Sequence, residues 1–208
     1  MENTIKSKIY LFCDVETGGI GTEYSLLSAY FLATDDQFND VSDLELFLKP
    51  DNGNYVVCGE AMGVNLIDLK THDKKAITYR EGGTRLYQWL QKLTSDGKDK
   101  AFLIGHNVKG DRDKVIQHLI SKGSWEKFVS HRLRDTQPVA GFLIDCGILP
   151  GDLSCSLESL VTHFGIPKDQ TQFHTAKYDV QQTKAVYLAL REMIINLNNE
   201  RVLQRYSV

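Results

Sequence analysis

The chain has 208 residues, 42% of them hydrophobic, with 24 Lys+Arg against 27 Asp+Glu and a formal charge of -3. That length suits one domain with a sheet covered by helices on both sides, and the slight acidity excludes binding of a polyanion by bulk charge, leaving only a local basic groove. No apolar run approaches the ~18 residues of a membrane span, and MENTIKSK is not followed by the apolar core of a signal peptide, so a cytoplasmic protein without a membrane partner is expected. Cys13, Cys58, Cys146 and Cys155 form no CxxC pair, which argues against a disulfide framework or a zinc site and fits a reducing compartment.

In chain order, Ile9 to Gly19 (IYLFCDVETGG) is apolar on both faces until Asp14 and Glu16, the pattern of a central strand covered on two sides. Asp14 and Glu16 share one face at its C-terminal end, before the turn at Gly18-Gly19. Two such carboxylates repel and lose hydration, so a divalent cation between them is the simplest remedy; a salt-bridged Asp-x-Glu without chemistry is the competing reading. Ser25 to Thr34 and Leu44 to Leu48 read as two further strands, separated by polar DDQFNDVSD, which together suggests an antiparallel meander. Residues 54–83 read as loops with a short helix near Gly59 to Leu66. A helix is expected over Thr84 to Leu93, a strand over Ala101 to Ile104, a helix over Val108 to Lys122 and a strand over Val129 to Leu133. Ser154 or Ser156 caps a helix carrying Leu157, Leu160, Val161 and Phe164, and a last helix runs from about Ala176 to Asn198. The domain is accordingly placed at 1–199, with a tail at 200–208.

Two acids lie where an apolar side chain is expected. Asp111 falls on the stripe of Val108, Val115 and Leu119, and Asp179 falls among Ala176, Thr183, Val186 and Leu190. Asp113 points elsewhere. Four carboxylates meeting without compensation would cost many kcal/mol, whereas two divalent cations about 3.5 to 4 Å apart neutralise them, and oxygen-only ligands favour Mg²⁺ or Mn²⁺. His174, five residues before Asp179, is the candidate general base, since imidazole titrates near neutral pH. A cap or surface role is its bland alternative. Lys109, Arg112, Lys114, Lys122, Lys127, Arg132 and Arg134 are candidate backbone contacts, with a solvated helix face as the competing reading.

Asp14-Val-Glu16-Thr17-Gly18, His106-Asn107-x-x-x-Asp111 and His174-x-Ala176-x-x-Asp179 together resemble, in order and spacing, the DEDDh or DnaQ-like 3'-to-5' exonucleases of the ribonuclease-H-like fold. The resemblance spans nearly the whole chain, with Asp135-Thr136 and SLESLVTHFGI as familiar connectors. It implies an α/β fold in three layers, a mixed five-stranded sheet with its first three strands antiparallel, flanked by helices. It also implies that Asp14, Glu16, Asp111 and Asp179 hold two metal ions, that His174 is the base, and that Thr17, Gly18 and Asn107 form the substrate-binding set. One departure is Gly110, where the family commonly has a bulky aromatic. The expected activity is hydrolysis of a single-stranded 3' end to nucleoside 5'-monophosphates, DNA being slightly favoured. The alternatives are an exoribonuclease or oligoribonuclease, a proofreading subunit bound to a polymerase, and a binding module without activity.

Overall fold

The structure, a computed structural model, describes residues 8–169 and 174–206, with side chains to residue 199. Its sheet is built around β1 (Tyr10–Thr17), with β2 (Leu26–Thr34) and β3 (Asp40–Lys49) following as an antiparallel meander. Between β3 and the next long helix come α1 (Gly59–Asn65), α2 (Leu69–His72) and the two-residue β4 (Ile77–Thr78), which pairs parallel with β3. Then follow α3 (Tyr79–Leu93), β5 (Phe102–Gly105), α4 (Lys109–His118), α5 (Lys122–Phe128), β6 (Arg134–Asp135), α6 (Thr136–Asp145), α7 (Leu157–His163) and α8 (Ala176–Tyr206). The strand order is β4-β3-β2-β1-β5-β6, with β5 parallel to β1 and β6 parallel to β5. The expected meander and later alternation are present. The sheet has six strands rather than five, because the short β4 extends its far edge.

Alternation along β1 feeds two cores. Leu11 and Cys13 face a cluster with Phe31, Leu46, Leu86, Leu103, Val115 and Trp125, supplied by α3, α4 and α5. Phe12 faces the opposite layer, where Ala176 and Val180 of α8 pack on Tyr30, Leu32 and Ile104. Burial of this apolar surface at about 25 cal/mol per Å² is what holds the three layers together. A third cluster, Ala140, Leu143, Leu160, Val161, Val186 and Leu190, packs α6 and α7 on α8.

Several expected boundaries shift for identifiable reasons. β3 starts at Asp40, within the stretch read as a polar connection, because only its inward residues need be apolar. α3 begins at Tyr79, not Thr84, within the stretch read as loops: an added Cβ on Gly83 would meet the Leu119 carbonyl at 2.1 Å, so Gly82 and Gly83 permit close packing that leaves no periodic signal. The expected 108–122 helix ends at His118, and a new helix starts after Ser121, whose hydroxyl accepts from the Ser124 N–H. The strand expected over Val129 to Leu133 reduces to a bridge between Val129 and Ala101 and to the short β6. α6 was not anticipated; Asp135 caps it by accepting from Gln137 N–H. The Ser156 cap of α7 is as expected, and α8 continues helical to Tyr206, past the expected end near Asn198. All four cysteines are free thiols. Among the described residues no helix is long and apolar enough to cross a membrane.

Candidate metal centre

β1 has an antiparallel neighbour on one side and a parallel one on the other, and of β1 only Tyr10, Leu11 and Phe12 pair with β5. Beyond Phe12 the two strands part, opening a crevice at the carboxyl end of the sheet, where open α/β sheets place their ligands. Asp14 and Glu16 lie on one face of β1 at this crevice. Asp179, in the first turn of α8, meets them from above. One carboxylate oxygen from each of Asp14, Glu16 and Asp179 lies within 4.8 Å of the others, a spacing that can hold a metal ion.

Asp111 reaches the same place from α4 but stands outside that set of three. Its Oδ1 accepts from the backbone N–H of Val15 at 3.2 Å, so it sits between Asp14 and Glu16 along the strand. The alternative acid, Asp113, is held on the surface by Lys109 and Arg112 at 3.0 and 2.7 Å. Asp111 is therefore the inward acid of this helix, and Asp113 points elsewhere, as its place off the apolar stripe implies.

The electrostatics of this cluster are those of acids lacking a counter-charge. Burial, followed by the fields of Asp111, Asp179 and Glu16, raises the Asp14 carboxyl well above its usual range. Glu16 is pushed up to about 8 by burial and by Asp179 and Asp111. Asp111 is pushed up to about 7, mainly by burial, with the Val15 N–H pulling the other way. Asp179 is raised to about 6 by burial, partly offset by His174. Carboxyls that hold protons near neutrality for want of a cation are the groups a divalent ion would deprotonate and bind.

His174 is exposed on the turn before α8, with its backbone in the left-handed region at φ 59°. Strain of this kind, about 1 kcal/mol or more for a residue with a Cβ, is often kept at functional sites. Asn107 adopts the same conformation at φ 56°. Its N–H and that of Val108 donate to Asp135 at 2.8 and 3.1 Å, so Asp135 fixes the turn between β5 and α4 while capping α6. His106 accompanies it structurally, its Nδ1 2.8 Å from the Thr136 hydroxyl. At Gly110 an added Cβ would meet nothing within 4 Å, so the wall an aromatic would form is open here.

Thr17 and Gly18 begin the turn after β1. Gly18 is pressed against the chain at Val56, where a Cβ would come within 2.5 Å of a carbonyl oxygen, and its backbone bonds to Ser25 and Cys58. Two residues hold this turn: Asn65, which the sequence reading missed, and Lys114, which the sequence offers as a candidate contact to a nucleic-acid backbone. Asn65, buried at the end of α1, donates from Nδ2 to the Thr17 carbonyl at 3.1 Å. Lys114, buried although charged, donates from Nζ to the Gly21 and Tyr24 carbonyls at 2.6 and 3.2 Å. Asn65 carries no periodic signal, but Lys114 lies three residues after Asp111 on the inward stripe and was legible there. The remaining bases of this segment are largely engaged: Lys122 with Glu126, Lys127 with Asp96, and Arg134 over the rings of Phe102 and Tyr10.

Two clefts open from Glu16. One, of about 440 Å³, runs between the β1 turn and α1 and is lined by Thr17, Gly19, Ile20, Ala61, Val64 and Asn65. Ile20 is fully exposed at its rim and Val64 more than half so. The other, of about 400 Å³, runs over the sheet towards Phe47, with His174 on its wall.

No protein-family model matches the chain, and no curated protein matches it. Solved structures do. Exonuclease I of E. coli in complex with a dT13 oligonucleotide is similar at a TM-score of 0.67 and 17% identity, over 95% of this chain and 43% of that one. A moderately thermophilic exonuclease I from Methylocaldum szegediense gives 0.68 and 19%, over 89% and 40%. The zinc-bound form of the E. coli ExoI–ssDNA complex gives 0.61 and 19%, over 86% and 39%. The fold is thus that of the exonuclease I structures, the ribonuclease-H-like architecture implied by the sequence motifs. The chain spans less than half the length of each of these proteins.

Proposed function

We propose that the chain is a metal-dependent 3'-to-5' exonuclease of the DEDDh type, hydrolysing single-stranded DNA to nucleoside 5'-monophosphates. The observation that carries this reading is the meeting of Asp14, Glu16 and Asp179 within 4.8 Å, with Asp111 beside them, at the parted end of a central strand. Similar folds in the solved structures hold dT13 and, in another case, ssDNA with zinc, which supports DNA over RNA as substrate. The catalytic domain would be 1–199, with 200–208 as its tail.

Asp14, Glu16, Asp111 and Asp179 would hold two divalent ions, Mg²⁺ or Mn²⁺ by their all-oxygen donors. Such ions, when bound, make hydroxide available at neutral pH and take up charge on the leaving 3' oxygen. His174, exposed on the wall beside these acids, would receive the proton of the attacking water. Thr17 and Gly18 would position the terminal nucleoside, whose base meets the apolar rim of Ile20 and Val64; exposed apolar groups bordering a cleft suit a base face. Asn107 would act by holding the turn that delivers Asp111. A recessed ion pair favours an unpaired end, since a duplex must fray to reach it.

The test is digestion of 5'-labelled single- and double-stranded DNA and RNA with Mg²⁺ or Mn²⁺. A ladder shortening from the 3' end, mononucleotide product, and arrest by EDTA are expected. Undiminished cleavage in chelator, or internal cuts, would remove this reading.

A further inference from the structure

The cleft on the Phe47 side of Glu16 follows from strand register. Residues paired directly across antiparallel strands share a face of the sheet. Glu16 pairs with Ser28, and Ser28 pairs with Phe47, so the three form a row across the sheet, at right angles to the strands. The middle member is small, which sinks the row into a trough. One side is walled by His174, Thr175 and Lys177 at the start of α8, and the other by Asn65, Leu66, Ile67 and Thr71. Phe47 is half-buried and backed by His72, the two rings forming a T-shaped pair with centroids 6.1 Å apart. His72 is itself fixed by a 2.9 Å contact to the Leu48 carbonyl oxygen.

Two exposed lysines stand over aromatic rings here. Lys75 Nζ is 3.4 Å from the Phe47 ring centroid, and Lys177 Nζ is 5.5 Å from that of Tyr30. A π-face paired with a cation on a flexible stem is a combination that accepts a base and its phosphate together. The lysine swings to the phosphate and leaves the ring to the base. Glu45, in the next row on the same face, stands directly across from Tyr30 and two residues before Phe47, where its carboxyl can accept from a base's amino group.

We propose that this trough holds the nucleotide on the 5' side of the scissile phosphate, with its base on Phe47 and its backbone between Lys75 and Lys177. The inference rests on the exonuclease reading above. Its geometry is that Glu16 and Asn65 line both clefts. A strand whose scissile phosphate sits at Glu16 must send one nucleoside each way. The Thr17 cleft takes the terminal one, and the trough takes its neighbour. This gives the segment from Asn65 to Lys75 a role as one wall of the strand's path.

The test compares two substrates. A labelled single-stranded 12-mer occupies both clefts, whereas the p-nitrophenyl ester of thymidine 5'-monophosphate places no nucleotide in the trough. Phe47→Ala, and separately the pair Lys75→Ala with Lys177→Ala, should lower the ratio of kcat/KM for the 12-mer to that for the ester about tenfold, the size expected for one lost stacking or phosphate contact. An unchanged ratio, whether both substrates slow together or neither does, overturns the proposal. Fluorescence anisotropy of labelled dT12 on the same proteins separates this from the parent reading. If the wild type binds dT12 without cleaving it and Phe47→Ala weakens binding, the trough stands as a single-strand contact, while the nuclease assignment and the trough's place relative to a scissile phosphate fall. If the wild type neither cleaves nor binds, both fall.

Discussion

The Val15 N–H donates to Asp111 Oδ1 at 3.2 Å, joining the end of β1 to the first turn of α4 across 96 positions of sequence. This bond occupies the strand edge that β5 leaves bare. It also fixes an acid from the middle of the chain beside two from its beginning, so the cluster is assembled by the fold and not by a local loop.

Replacing one acid should stop the chemistry and spare the fold. Asp14→Ala and Asp179→Ala are expected to reduce oligonucleotide hydrolysis by at least about 10³-fold, with the far-ultraviolet circular dichroism unchanged. Each removes a raised, half-buried carboxyl, so neither should lower the melting temperature measured in chelator. Activity within tenfold of wild type would contradict this.

Stability should depend on pH in an unusual direction. Carboxyls whose folded pKa is raised keep protons that the unfolded chain gives up near pH 4.5. The folded state therefore loses stability as pH rises towards the raised values, about 6 for Asp179, about 7 for Asp111 and about 8 for Glu16. In chelator, a loss of several kcal/mol, at most about 8, is expected between pH 5 and pH 8.5, and the melting temperature reports it. Mg²⁺ or Mn²⁺ should reverse the trend, most strongly at the alkaline end. Glu16→Gln should flatten the profile.

His174 is exposed on a turn, so its removal should affect rate more than structure. His174→Ala is expected to lower kcat by about 10²- to 10⁴-fold, with KM for a single-stranded oligomer changing less than threefold. Steady-state kinetics alongside a melting curve in Mn²⁺ distinguishes the two. A raised KM with kcat intact would assign His174 to binding instead.

Lys114 is a buried cation spent on two carbonyls of the turn after β1. Lys114→Met should leave Gly21 and Tyr24 without these donors, lowering stability by about 1 to 3 kcal/mol and raising KM as the Thr17 turn loosens. Denaturant titration and initial rates at varied oligomer concentration provide the check. Asp111 lies one turn earlier on the same helix, so kcat should move less than KM.

Much of the fold and site was legible because it depends on local pattern. The double-sided apolar run of β1, the misplaced acids Asp111 and Asp179, and the Ser156 cap are each readable within a dozen residues, and the structure brings the acids together. What escaped depends on packing at a distance. Gly82 and Gly83 leave no periodic signal, and the close packing they permit depends on the approach of Leu119. Asn65 bonds to Thr17 across 48 positions. The basic stretch from Lys109 to Arg134 reads either as backbone contacts or as a solvated helix face, and sequence alone does not show that most of its charges lie beside neighbouring acids, carbonyls or aromatic rings. The row from Glu16 through Ser28 to Phe47 exists only once the register of three strands is fixed.

α4 carries Asp111 facing the carboxylates and, a single turn on, Lys114 tethering the loop that follows Thr17. A small slide or rotation of that one helix would therefore displace the acid and slacken the loop in the same motion. Laboratory evolution towards a new preference would then find few useful changes within α4 itself, and accepted substitutions should collect on the segments facing it.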